Sequence, residues 1–280
     1  PGAQACADAM AACDAEHEWL SRATASAAYP HIDFAGYDRV LRHPAAGVCL
    51  AAGAVAAQVR LARMAGVSVR EETPVSSVEP GPDGVRVRTP EGEIEARCAV
   101  VTPGPWAGRL LGEMLGAPRA FVATWQTTSY YRPADGSAPP ELPTFIEWTG
   151  PAVAWYAVPA VGDAPGVKLG DHDVGPTVDP DDGPFALDEP RVRETSEYVR
   201  RRFPGLDPEP VLAEVCHYTM TPDEDFVLDR VGPVVIGAGF SGHGFKFTPL
   251  VGEILADLAM GRTPDAPMAR FAANRPALLG

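Results

Sequence analysis

The stretch Val234–Pro249 reads VVIGAGFSGHGFKFTP, and Gly237, Gly239 and Gly242 within it form a G-x-G-x-x-G. A dinucleotide-binding fingerprint needs a buried strand before it, a helix opening at its third glycine, and a later strand carrying an acid about 20 residues on. PVVIGAG supplies the strand. The helix is displaced: its best N-cap is Thr248, with Pro249 at the first helical position. The residues after it read as one helix and a Pro-containing tail, so a completed βαβ unit is not expected. The motif is therefore not an opening fingerprint, and a nicotinamide dehydrogenase built on it is disfavoured. With Gly244, the glycines let the backbone approach a flat ligand closely. The helix dipole and Lys246 would favour a group that gains negative charge. Equally, the loop can be glycine-rich for packing, with Lys246 snorkelling between Phe245 and Phe247.

Upstream, hydrophobic periodicity predicts a helix over 2–18, a short helical stretch LSRATASA, and a helix GAVAAQVRLARMAG stopped at Gly66. The period then shortens to two. VSVRE, VSSVE, GVRVRT and EIEARCAVV read as a meander punctuated by PGPDG and PEGE. VVTPGPWAGRLLGEML reads as strand, glycine turn and helix. FVATWQTTSYY, TFIEW, AVAWYAVP and GVKLGDHD read as antiparallel strands, followed by the charged helix DEPRVRETSEYVRRR and the strands VLAEVCHYTM and DFVLD.

Charge narrows the partners. A net charge of −14 over 280 residues repels nucleic-acid phosphates and anionic lipid. No apolar run is long enough to span a bilayer. No signal-peptide pattern opens the sequence as given. The five cysteines are scattered without metal-ligand spacing, which predicts a reducing cytoplasm and no metal site. Pro1 stands where a start methionine would, so a processed or incomplete N-terminus is expected.

Several stretches, in order, resemble the monomeric sarcosine oxidase and N-methyltryptophan oxidase family of D-amino-acid-oxidase-like flavoproteins. They are VVTPGPWAGRLL, AVAWYAVP, GVKLGDHD, EVCHYTMTPDEDFVLD, GAGFSGHGFKF and ANRPAL. The resemblance implies an α/β (α+β) chain: a glutathione-reductase-like flavin-binding domain over 46–116 and 215–280, interleaved with an antiparallel-sheet substrate domain over 1–45 and 117–214. The family's opening βαβ unit, with its own G-x-G-x-x-G, has no counterpart. The resemblance therefore implies a flavin-binding domain incomplete at its N-terminus. A truncated or non-catalytic remnant that holds no flavin is the alternative. In such a fragment, strand 233–237 and the meander 67–101 are expected to lack a neighbour on one side.

The family likeness implies FAD-dependent oxidation of a secondary or N-methyl amine to an imine, with molecular oxygen reduced to hydrogen peroxide, by a monomer. It gives Cys216 the covalent bond to flavin. Lys168 would activate oxygen, Lys246 would hold the substrate carboxylate, and Tyr156 and His172 would line the active site. Gly104, Trp106, Val75, Gly239, Gly242, His243, Gly244, Phe245 and Lys246 would contact FAD. Pro105 departs from the family's small residue at that turn. Each residue also has a plain structural reading. Cys216 could be an inert thiol in an apolar strand, Lys168 a surface lysine, and His172 and His243 structural histidines. Of Trp155 and Tyr156, one must face the core.

Overall fold

The computed structural model describes residues 2–149, 153–172 and 175–279. Ala152 and Asp173, which belong to two of the family-like stretches, lie outside the described residues. In chain order the elements are α1 (Gly2–Ala12), β1 (Glu18–Ser21), α2 (Arg22–Ala28), β2 (Arg39–Arg42), α3 (Ala51–Met64), β3 (Ser77–Gly81), β4 (Gly84–Thr89), β5 (Gly92–Ala96), β6 (Ala99–Val101) and α4 (Ala107–Leu111). There follow β7 (Val122–Tyr131), β8 (Phe145–Trp148), β9 (Val153–Val158), β10 (Val167–Asp171), α5 (Glu189–Arg202), β11 (Leu212–Met220), β12 (Val227–Val231), β13 (Val234–Ala238), α6 (Thr248–Ala259) and α7 (Pro276–Leu279). The result is the expected mixed fold of helices and mainly antiparallel sheets. It divides into two compact bodies, one of Pro1–Leu50, Gln126–Val174 and Phe185–Cys216, the other of Ala51–Trp125, Gly175–Pro184 and His217–Gly280.

The first body is organised by a five-stranded sheet in the order β11-β7-β10-β9-β8. Val167, Leu169, Tyr131 and Ala157 are buried on one face, against Tyr198, Val199 and Phe203 of α5 and its C-terminal end. α5 starts where Asp188 caps it, accepting from the Arg191 amide at 3.2 Å, with Pro190 in its first turn. Trp155 stacks on Tyr198 with centroids 4.2 Å apart. A buried polar cluster ties this layer together. Glu147 on β8 accepts from Arg202 Nε and Nη2, both at 3.0 Å, and from the hydroxyls of Tyr198 and Tyr37. Arg202 Nη1 also donates to the carbonyls of Asp33 and Ala35. Burial pushes the Glu147 carboxyl up, but the hydrogen bonds from Arg202 and the two tyrosines outweigh it and hold the group below the usual range.

The second body holds the meander β3-β4-β5 and the sheet β12-β13-β6. β13 is fully buried and flanked on both sides, antiparallel to β12 and parallel to β6. The expectation that strand 233–237 lacks a neighbour is thus corrected. The open edge falls on β6 instead, where Val100 is exposed. α6 packs Val251, Ile254 and Leu255 with Leu228 and Val235. α3 forms where its periodicity predicts, yet buries none of its residues.

Three local expectations differ. The first helix stops at Ala12 because Asp14 turns into positive φ, and Glu18–Ser21 then pairs with β2 as a strand. Of the meander's predicted strands, VSVRE is irregular: it joins no ladder, and alternation without a partner strand does not make a strand. Thr248 does not cap α6. A 3-10 turn over Phe245–Phe247 runs straight into the helix, so Phe247 takes the cap position and the Thr248 hydroxyl donates back to the Phe245 carbonyl at 2.8 Å. Among the described residues no helix is long and apolar enough to cross a membrane, and no group of three potential metal ligands occurs.

Candidate active site

In the first body, strand register sorts the predicted residues. Lys168 pairs across β10 and β7 with Tyr130, while Gly170 pairs across β10 and β9 with Tyr156. Directly paired residues share a face, so Lys168, Tyr130, Tyr156 and Gly170 lie opposite the layer covered by α5. Trp155 takes the α5 side. Tyr130 donates to Glu214 on β11 at 2.6 Å, which puts Glu214 on the same face, and Cys216 follows two residues on. Lys168, Tyr156 and Cys216 are therefore brought together on one sheet face. His172 follows the last residue of β10 and is half-buried. Thr128, one side-chain step from Tyr130, is buried, and its Oγ1 has no hydrogen-bond partner among the described residues.

Charge on this face is concentrated. Lys168 Nζ lies 3.6 Å from Glu214 Oε1 and 5.6 Å from the centre of the Tyr130 ring. Burial pushes the Cys216 thiol up, with Lys168 pulling it back and Glu214 adding to the rise. Burial and the bond to Glu214 push the Tyr130 phenol up, so it remains a donor. The resemblance did not single out Tyr130 or Glu214. The signal for Glu214 was available in its i, i+2 spacing from Cys216, but a strand acid two residues from a cysteine is too common to stand out.

In the second body, Gly239, Gly242, His243, Gly244, Phe245 and Lys246 form one loop between β13 and α6. A Cβ at Gly242 would meet the Tyr218 ring at 2.6 Å, one at Gly244 the Phe240 side chain at 2.5 Å, and one at Gly239 Thr221 at 2.4 Å. Close packing by the chain's own side chains thus explains glycine at all three, and φ of +67° and +77° at Gly239 and Gly242 adds a conformational reason. Tyr218 is a residue of this loop's environment that the sequence reading passed over. The His243 ring lies 3.0 Å from the Ser241 carbonyl, and Lys246 Nζ donates to the His243 carbonyl while lying 5.3 Å from the Phe247 ring centre. Phe245 and Phe247 are exposed.

Val75 precedes β3 and is not itself in a strand. It lines, with Val78, Val87, Val100 and Trp106, a groove of about 420 Å³ along the open edge of β6. Gly104 stands at φ +55° in the turn leading to Trp106, with open space where a Cβ would point. Trp106 Nε1 donates to Asp181 at 2.8 Å, and Arg109 pairs with the same carboxylate. The Trp106 hydrogen bond, then Arg109, hold Asp181 below the usual carboxylate range. An apolar groove of this kind suits a flat heteroaromatic ring such as FAD carries. The residues present thus fit FAD.

Residues 2–258 match the FAD dependent oxidoreductase family known as DAO. The chain is 36% identical over 275 residues to peroxisomal sarcosine oxidase of Homo sapiens, an alignment spanning 95% of this chain and 70% of that protein. It is 34% identical to monomeric sarcosine oxidase of Streptomyces avermitilis, spanning 94% of this chain and 70% of the relative. The open form of NikD, described as an unusual amino acid oxidase essential for nikkomycin biosynthesis, superimposes with a TM-score of 0.79 at 27% identity, covering 95% of this chain and 70% of the other. With its mixed fold, the family match over residues 2–258 and relatives 34–36% identical across most of its length, the chain belongs to the DAO family of FAD-dependent oxidoreductases.

Proposed function

We propose that the protein oxidises secondary or N-methyl amino acids to imines, with oxygen reduced to hydrogen peroxide. The observation that carries this reading is the shared sheet face of Lys168, Tyr156 and Cys216, opposite the packed core. Bound FAD supplies acceptance of a hydride equivalent from the carbon beside nitrogen. The chain's own residues supply position and field. Lys168 places a fixed cation where negative charge develops on oxygen. Tyr156 and His172 orient the amine and exclude water. On the second body, Lys246 holds the substrate carboxylate by a charge-assisted hydrogen bond. Cys216 is the point of covalent attachment. Val75, Gly104, Trp106 and the loop of Gly239, Gly242, His243, Gly244 and Phe245 contact FAD. The protein acts as a cytoplasmic monomer on a small amine.

The test follows the two half-reactions by stopped flow in FAD-loaded protein with N-methyl amino acids. Lys168→Met is expected to slow flavin reoxidation far more than flavin reduction, and Lys246→Met to weaken binding of carboxylate-bearing amines. Reduction of added nicotinamide cofactor without peroxide would sink the oxidase reading.

A further inference from the structure

The sequence holds 23 lysines and arginines, and among them only Lys168 and Lys246 are lysines. Arginine makes the chain's other ion pairs between described side chains, as in Arg202 with Glu147, Arg191 with Asp171 and Arg275 with Asp223. Lys168 with Glu214 is the exception. An arginine there would spread a planar fork over the carboxylate, whereas lysine presents a compact point charge on a flexible stem. A flexible stem needs something to hold its end in place.

Three neighbouring strands provide that hold. β10 carries Lys168, β7 carries its cross-strand partner Tyr130, and β11 carries Glu214. The Tyr130 hydroxyl fixes the carboxylate at 2.6 Å, and its ring lies beside the ammonium. The Lys168 and Glu214 side chains are 30% and 45% exposed, so the pair adds little to stability. Its consequence is placement. We propose that Glu214, braced by Tyr130, is a positioning residue for Lys168, holding the ammonium over the sheet face that also carries Cys216. The functional weight of this inference rests on the reading of Lys168 as the oxygen-side cation.

Reductive methylation with 13C-formaldehyde keeps the lysine charge and labels only two side chains besides the N-terminus. In the flavin-free chain, the signals are assigned with Lys168→Met and Lys246→Met. The expected result is a nuclear Overhauser contact between the Lys168 methyls and the Tyr130 ring that disappears in Glu214→Gln, while the Lys246 signal stays put. Tyr130→Phe keeps the ring and removes only its bond to Glu214, and is expected to lose the contact too. Persistence of the contact in either folded variant overturns the proposal. In FAD-loaded protein, Glu214→Gln should slow flavin reoxidation by roughly ten- to a hundredfold, the scale of a misplaced catalytic group. The double variant should be no slower than Lys168→Met alone, and additive losses overturn the proposal. If Lys168→Met slows both half-reactions equally, the oxygen reading fails, and the magnetic-resonance arm still decides whether Glu214 positions the lysine.

Discussion

The hydroxyl of Tyr156 lies where Gly170 has no side chain: a Cβ on Gly170 would sit 2.7 Å from that oxygen and 3.0 Å from the ring carbon bearing it. The two residues are cross-strand partners on β9 and β10. The glycine is what allows the phenol to lie flat across the sheet beside Lys168's strand. Gly170→Ala should therefore push Tyr156 aside and cost about 1–3 kcal/mol, the usual range for overpacking. Gly205→Ala is the control, because its Cβ would meet nothing within 4 Å. Urea midpoints of the two variants check the contrast, and equal midpoints would show that Tyr156 moves freely.

The Glu147–Arg202 pair gives a pH prediction. Both side chains are more than nine-tenths buried, and each remaining bond of the pair is satisfied by Tyr37, Tyr198 or a backbone carbonyl. Glu147→Gln leaves the Arg202 charge without its counter-ion and should cost about 3–5 kcal/mol. Because the folded carboxyl is held below its unfolded value, its contribution is present above about pH 4 and is lost as pH falls through the folded value. Stability of Glu147→Gln should accordingly change less than that of the unmutated chain between neutral and acid pH. Parallel curves from denaturant titrations at several pH values would refute this.

Much of this arrangement was legible in the sequence, and the failures have physical causes. The stretches GVKLGDHD and AVAWYAVP read as strands, and they form β10 and β9. Which of Trp155 and Tyr156 faces the core was not legible, because that depends on pairing register and on α5. VSVRE alternates as well as GVRVRT does, but only the latter has ladder partners on both sides. Thr248 carries a capping side chain, yet the preceding 3-10 turn uses its hydroxyl. Glu214 gained its meaning from a contact with Tyr130, 84 residues away.

Two carboxylate–arginine pairs of similar appearance should behave differently. Asp181 with Arg109 is about half exposed on both sides, whereas Arg275 is buried and binds Asp223 through Nε and Nη2 at 2.7 and 2.8 Å. Arg275 also donates to the carbonyls of Asp225 and Phe226, so it pins the turn between β11 and β12. Arg275→Ala should cost about 2–3 kcal/mol through these charged hydrogen bonds. Asp181→Asn should leave the melting temperature essentially unchanged. A comparable loss in both would mean that the Trp106–Asp181 bond carries structural weight.

Cys216 offers the last prediction. Its thiol is held up first by burial and further by Glu214, and Lys168 only partly offsets this. Thiolate is the reactive form, and a free thiol ionises near pH 8.5, so iodoacetamide labelling of Cys216 should rise only at more alkaline pH than that. Lys168→Met removes the favourable cation and should move the onset higher still. Cys13 and Cys49 are exposed, and peptide-resolved mass analysis separates their labelling from that of Cys216. In FAD-loaded protein, the proposed attachment blocks Cys216 altogether. Acid precipitation should then keep the yellow colour with the protein, and Cys216→Ala should release it to the supernatant. Free flavin from the unmutated protein, together with a Cys216 still open to alkylation, would remove this residue from the flavin's attachment.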